Sequence, residues 1–190
     1  MEEMVTREIL GRVAVGDHDA FRVLYDDLYA VAYRFVHYFL GNRSDCEDVT
    51  AGVFFIVWQH REGLPEIRDF KTWLYIVCRN EVYHFLRRKE KFPSVSIDDM
   101  AVGLHMTADA DSGVIEDEMV RAYDDAIARL PERCKLIFLM VREERLKYKD
   151  IAAILSVTEG TVEQQMNIAI RRITAVVREY FPTLGVRRRR

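Results

Sequence analysis

With 190 residues, 49% of them apolar, the chain can fill one domain or two small ones with real cores, which excludes disorder throughout. Its formal net charge of -3 excludes a polycation that coats nucleic acid indiscriminately. Any contact with DNA must be local.

The opening MEEMVTREIL is acidic and lacks an apolar signal core, and no apolar run approaches the roughly 20 residues of a membrane span, so a cytoplasmic protein is expected. Val5 to Val15 reads as a modest amphipathic helix, with Thr6 able to cap it and Gly16 ending it. Asp17 can cap a longer helix whose stripe is Phe21, Leu24, Tyr25, Leu28, Val31, Ala32, Phe35 and Phe39, stopped by Gly41-Asn42. Ser44 and Glu47 have the spacing of a capping box, opening a third helix through Val49, Val53, Phe54, Ile56, Val57 and Trp58. After the break at Gly63-Leu64-Pro65, Asp69 can cap a helix reaching about Lys91, with Phe70, Trp73, Leu74, Val77 and Leu86 on its buried face. In that helix aromatic residues alternate with Lys71, Arg79, Asn80, Arg87, Arg88 and Lys89, a composition suited to a phosphate backbone and exposed bases.

Periodicity vanishes from Phe92 to about Ser112, an acidic stretch that reads as a linker. It resumes with Ile115, Met119, Tyr123, Ala126, Ile127 and Leu130, and Pro131 suits the first turn of the next helix, which carries Leu136, Ile137, Met140 and Val141. Tyr148, Ile151, Ala152 and Leu155 then mark a short helix, Ser156-Val157-Thr158 a turn, and Val162, Met166, Ala169, Ile170, Ile173 and Val177 a second helix capped by Thr158. A small residue at the crossing, an apolar plug in the turn and a capped second helix together describe a DNA-binding helix-turn-helix. Its outward residues suit base edges (Gln164, Gln165, Asn167) and phosphate or guanine (Arg171, Arg172). The end of the chain, with four arginines, reads as a flexible basic tail.

The expected architecture is all-α: two small helical domains joined by an acidic flexible linker, the second containing the helix-turn-helix. The boundaries are 1–92, linker 93–113, 114–182 and tail 183–190. Cys46, Cys78 and Cys134 are far apart with no C-x-x-C and no adjacent histidine pair, so they read as reduced thiols with no metal site. The five histidines are scattered and no phosphate-cradling loop is present, so neither catalytic residues nor a cofactor is expected.

Four runs in order, DHDAFRVLYDDLY, DCEDVTAGVFFIVW, FKTWLYIVCRNEVYHFLRR and AIARLPERCKLIFL with YKDIAAILSVTEGTV, resemble a bacterial extracytoplasmic-function (ECF) sigma factor, the promoter-recognition subunit of RNA polymerase. The resemblance implies a first domain, region two, that holds the clamp helices of the polymerase core and opens the minus-ten element. It implies a second, region four, that reads the minus-thirty-five element of promoter DNA. On it, Glu47, Asp48, Val53, Phe54 and Trp58 match the polymerase-binding helix, with the apolar members also in the core. Lys71, Arg79, Asn80, Arg87 and Arg88 match the handling of the non-template strand, and Thr161, Gln164, Gln165, Asn167, Arg171 and Arg172 lie in the upstream reader. An anti-sigma factor is the further partner it implies.

The chain departs from the family's habit at Ala51-Gly52, where Gln-Glu is common, at His84, where aspartate is usual, and at Glu163 and Gln165, where basic residues (or, at Gln165, histidine) are usual. Fewer cations imply weaker and less salt-dependent DNA binding. Two other functions stay open at this point: a helix-turn-helix regulator of duplex DNA, and a sigma-like protein acting through an anti-sigma or polymerase partner.

Overall fold

The computed structural model describes residues 7–89 and 116–180. Among these every regular element is helical: α1 (Arg7–Ala14), α2 (His18–His37), α3 (Arg43–Gln59), a 3-10 turn (Arg61–Glu66), α4 (Phe70–Arg88), α5 (Glu116–Ala128), α6 (Glu132–Arg142), α7 (Tyr148–Leu155) and α8 (Glu159–Tyr180). The chain divides into two compact units. Thr6, the acidic linker and the basic tail fall outside the described residues.

In the first unit the turn into α2 is built by three neighbours. Gly16 takes φ +87, a left-handed value that side chains resist. Asp17 then caps α2 by accepting from the Asp19 and Ala20 N–H groups at 3.0 Å each, and Arg12 Nε donates to the same carboxylate at 2.8 Å. The Ala20 N–H, and then Arg12, hold the Asp17 carboxyl below its usual range. Leu24, Ala32, Phe35 and Val36 form the buried stripe of α2; Val49, Val53, Phe54 and Val57 that of α3; Phe70, Leu74, Tyr75, Val77, Cys78 and Val82 that of α4. Phe35 meets Tyr75 with ring centroids 4.9 Å apart. Each such large apolar group contributes about 1.5–3 kcal/mol by leaving water.

Three local expectations fail. Helix α2 ends at His37, and Asn42 does not stop it but opens α3, its Oδ1 accepting from the Asp45 N–H at 3.1 Å. Ser44 is therefore already inside the helix, and Glu47 accepts from Arg43 at 2.8 Å, so no capping box forms. Tyr75, one of the aromatics interleaved with the α4 cations, is fully buried, while Trp73 and Leu86, placed on the buried face, are only half-buried. At α4 itself Asp69 caps as expected, accepting from the Thr72 N–H at 3.0 Å and the Thr72 hydroxyl at 2.9 Å.

The second unit holds α5, α6, α8 and the start of α7, whose last residues, Ala153–Leu155, are grouped with the first unit. Helix α6 buries Cys134 and Leu136 through Met140 almost all round, which makes it the central element. Tyr123, counted in the α5 stripe, lies at the rim, 37% exposed, with its ring 6.4 Å from Phe138. Helices α5 and α8 are clasped at one end, where Tyr180 donates to Asp125 Oδ2 at 3.1 Å and Arg129 pairs with Asp125 at 2.6 Å. Between α7 and α8, Ser156 takes φ +55 to turn the chain, and the Val157 N–H bonds the Ala152 carbonyl at 2.9 Å. The Thr158 hydroxyl accepts from the Thr161 N–H at 3.1 Å, so the cap expected for the second helix of the motif forms.

Candidate nucleic-acid interface

Helix α8 has a definite underside. Val162, Met166, Ala169 and Val176 are buried at helical spacing, and Cys134 of α6 donates its Sγ–H to Gln165 Oε1 at 2.8 Å. Burial keeps the Cys134 thiol above its ordinary pKa, so it stays a donor at neutral pH. Gln165 therefore faces the core and not a base edge. Reading the helix by residue type alone places it with Gln164. The buried run on either side, Val162 and Met166, is the signal that separates the two.

The opposite face is an open concavity of about 600 Å³ lined by Gly160, Glu163, Gln164, Asn167, Ile170 and Arg171. Gln164, Asn167 and Arg171 thus share the surface expected of them. Thr161 is half-buried and its hydroxyl lies 2.9 Å from that of Thr158, which gives it a part in the cap. Arg172 is exposed and does not line the concavity. Ile170, counted with the buried stripe, is 45% exposed and belongs to the outer face.

On α4, Asn80, His84, Arg87 and Arg88 are exposed and recur at the spacing of one helix face. Arg79 donates to Asn80 Oδ1 from Nε at 3.2 Å and Nη2 at 2.9 Å, which holds the amide in place. Lys71 is half-buried two turns earlier. Glu81, His84, Arg87 and Arg88 line a depression of about 430 Å³, so the cationic end of the strip is a formed surface.

Helix α3 separates the five residues matched to polymerase binding. Glu47 and Asp48 are exposed, whereas Val53 and Phe54 are sealed in the core, and Trp58 is half-buried with His18 stacked at 4.7 Å and Arg61 over its ring at 5.0 Å. The apolar group that does face solvent is Phe55, 62% exposed, one and two turns beyond Ala51 and Asp48. In Val53-Phe54-Phe55 every residue is apolar, and only packing decides which one is left outside. Gly52 lies toward α4, where a Cβ would meet Glu81 Oε2 at 3.4 Å, and a groove of about 500 Å³ there is lined by Asp48, Gly52, Glu81, Phe85, Arg88 and Lys89. Lys89 bonds Asp45 across it at 2.6 Å.

The other thiols are inert. Burial pushes Cys46 up to about 11 and Cys78 higher still, and Cys46 donates to the Leu40 carbonyl at 2.9 Å. Among the described residues no three His, Cys, Asp or Glu side chains are grouped to hold a metal, and no helix is long and apolar enough to cross a membrane.

An all-helical chain with a helix-turn-helix whose second helix offers a polar, open face is a DNA-binding protein in build. Comparison with known proteins gives the family. The Sigma-70 region 2 profile matches residues 21–92 and the Sigma-70 region 4 profile matches residues 121–173. The ECF RNA polymerase sigma factor SigL of Mycobacterium tuberculosis is 27% identical over 178 residues, covering 92% of this chain and 96% of that protein. The ECF RNA polymerase sigma-E factor of Haemophilus influenzae is 28% identical over 178 residues, covering 87% and 91%. In fold the chain is similar to CnrH, solved in complex with the cytosolic domain of CnrY, at a TM-score of 0.57 and 18% identity, covering 91% of this chain and 97% of that one. It is similar to a like degree to the Bartonella quintana sigma factor RpoE, solved with the anti-sigma factor NepR, at a TM-score of 0.57 and 17% identity, covering 88% and 98%. The chain belongs to the ECF family of RNA polymerase sigma factors.

Proposed function

We propose that this sigma factor directs core polymerase to promoters through three separate surfaces. The outer ridge of α3, Glu47, Asp48, Ala51 and Phe55, docks on the clamp helices of the core. The α4 strip, Lys71, Arg79, Asn80, Arg87 and Arg88, holds the non-template strand of the minus-ten region as it opens. The outer face of α8 reads the upstream duplex. Opening is driven by binding energy released when unstacked bases and phosphates are captured, and no bond is made or broken by the protein. It works in the cytoplasm, where polymerase is, and an anti-sigma factor is its expected regulator, the similar Bartonella quintana RpoE having been crystallised with the anti-sigma factor NepR.

The observation that carries this reading is the sorting of α8 into an apolar underside and a polar outer face, on a helix whose start is fixed by the Thr158 cap. The test is reconstitution with bacterial core polymerase. Specific transcripts from a randomised promoter pool are expected with the wild type, and charge reversal at Asp48 is expected to weaken the complex in a pull-down. A wild type that neither binds core nor starts transcripts removes the proposal.

A further inference from the structure

Glu163 lies on the reading face of α8 and has no assigned part in it. Its neighbours there are Gln164, next in the chain, and Gly160, Asn167, Ile170 and Arg171, at one-turn or two-turn spacing around it. The rotation of the helix is not free, because Val162 and Met166 are buried and Gln165 accepts from Cys134, so Glu163 is held on the outside. It is exposed and forms no ion pair with a described residue; the guanidinium of Arg171 bonds the Asn167 carbonyl at 3.3 Å instead. Gly160, one turn before it, adds no side chain that would shield it from a base.

A carboxylate is acceptor-only, so in a major groove it can meet only an exocyclic amine, of adenine or of cytosine. Adenine presents its N6 amine beside the N7 acceptor, which repels a carboxylate. Cytosine presents the N4 donor without such a neighbour on the same base. The N-terminal half of a recognition helix is the part that reaches base edges, and Glu163 stands in its second turn, one residue before Gln164 and one turn before Asn167.

We infer that Glu163 is a specificity-determining residue that accepts from the N4 amine of a cytosine in the upstream promoter element. The inference rests on the assignment of α8 as the helix in the major groove. It turns a residue that costs general DNA affinity into one that selects sequence: the carboxylate repels phosphates everywhere, and its cost is offset only where a cytosine amine meets it.

The test uses holoenzyme assembled from the full chain and core polymerase, first selecting duplexes from a pool randomised upstream of the melted region. The wild type is expected to select a cytosine there, and replacing it by N4-methylcytosine, which keeps pairing but blocks the groove-facing donor, should lower occupancy about tenfold, as expected for one good base contact. Methylation at C5 leaves the donor and should not. Glu163→Ala, at an exposed site and checked by an unchanged melting temperature, should bind unrelated DNA more tightly, with a steeper salt dependence, and should no longer distinguish cytosine from N4-methylcytosine. If Glu163→Ala tightens binding to all sequences by one common factor, the carboxylate is only a repulsive charge and the inference falls. Upstream preference without cytosine also overturns it while leaving α8 as the reader, whereas no upstream preference at all overturns the reading of α8 itself.

Discussion

Two glutamines adjacent in sequence should fail in different ways. Gln164 lies on the open face and Gln165 accepts the Cys134 thiol on the core side. Gln164→Ala is expected to relax preference at the upstream element with an unchanged melting temperature, each lost bidentate contact costing about 1–3 kcal/mol of discrimination. Gln165→Ala should lower the melting temperature, since a buried donor loses its partner at a cost of about 1–3 kcal/mol, and should leave the preference alone. Footprinting on selected promoters and thermal melts of the free protein separate the two. The same logic applies at the start of α3. Asn42→Ala should cost about 1 kcal/mol because it removes the cap, and Ser44→Ala nearly nothing, as urea unfolding would show. In both cases the residue types in the sequence were right for the chemistry and silent about direction. Asn42 and Ser44 are equally good caps, and only the end of α2 at His37 decides between them.

At the level of the helix, periodicity was a good guide wherever one face was apolar and the other polar. The caps at Asp17, Asp69 and Thr158, the buried Ile151, Ala152 and Leu155 of α7 and the centres of the α2 and α8 stripes, Leu24, Ala32 and Phe35 and then Val162, Met166 and Ala169, could be read in advance, whereas the buried Val36 and Val176 were not in the expected stripes. It was a poor guide in α3, which is apolar on nearly every side, so the exposed Phe55 was passed over for the buried Val53 and Phe54. The prediction that follows is a contrast. Phe55→Ala should leave the urea midpoint of the protein unchanged and weaken the complex with core polymerase, because an exposed aromatic on a docking ridge is an anchor only when covered. Phe54→Ala should cost about 3–5 kcal/mol of stability, and any loss of binding should follow from unfolding. If Phe55→Ala binds core as well as the wild type, the ridge is not the docking face.

For the whole molecule, the α4 strip and the α8 face differ in chemistry and should control different steps. Asn80→Ala, which removes the amide that Arg79 holds, is expected to leave upstream duplex binding intact and to abolish permanganate reactivity of thymines in the melted region. A template already mismatched there should rescue Asn80→Ala and not Gln164→Ala. Equal rescue would mean that the two surfaces act as one. The groove between α3 and α4 bears on a different matter, the exchange of parts between relatives. Gly52 faces the Glu81 carboxylate, which a Cβ there would just touch at 3.4 Å, and Asp45 is bonded to Lys89, so α3 and α4 meet through side chains particular to this chain. A polymerase-binding helix with glutamate at position 52, transplanted alone into this chain, would set that carboxylate against Glu81 and would leave Lys89 dependent on whatever replaces Asp45. Chimeric sigma factors built from this chain should therefore take α3 and α4 as one heritable block, with their junctions placed before Asn42 and after Lys89.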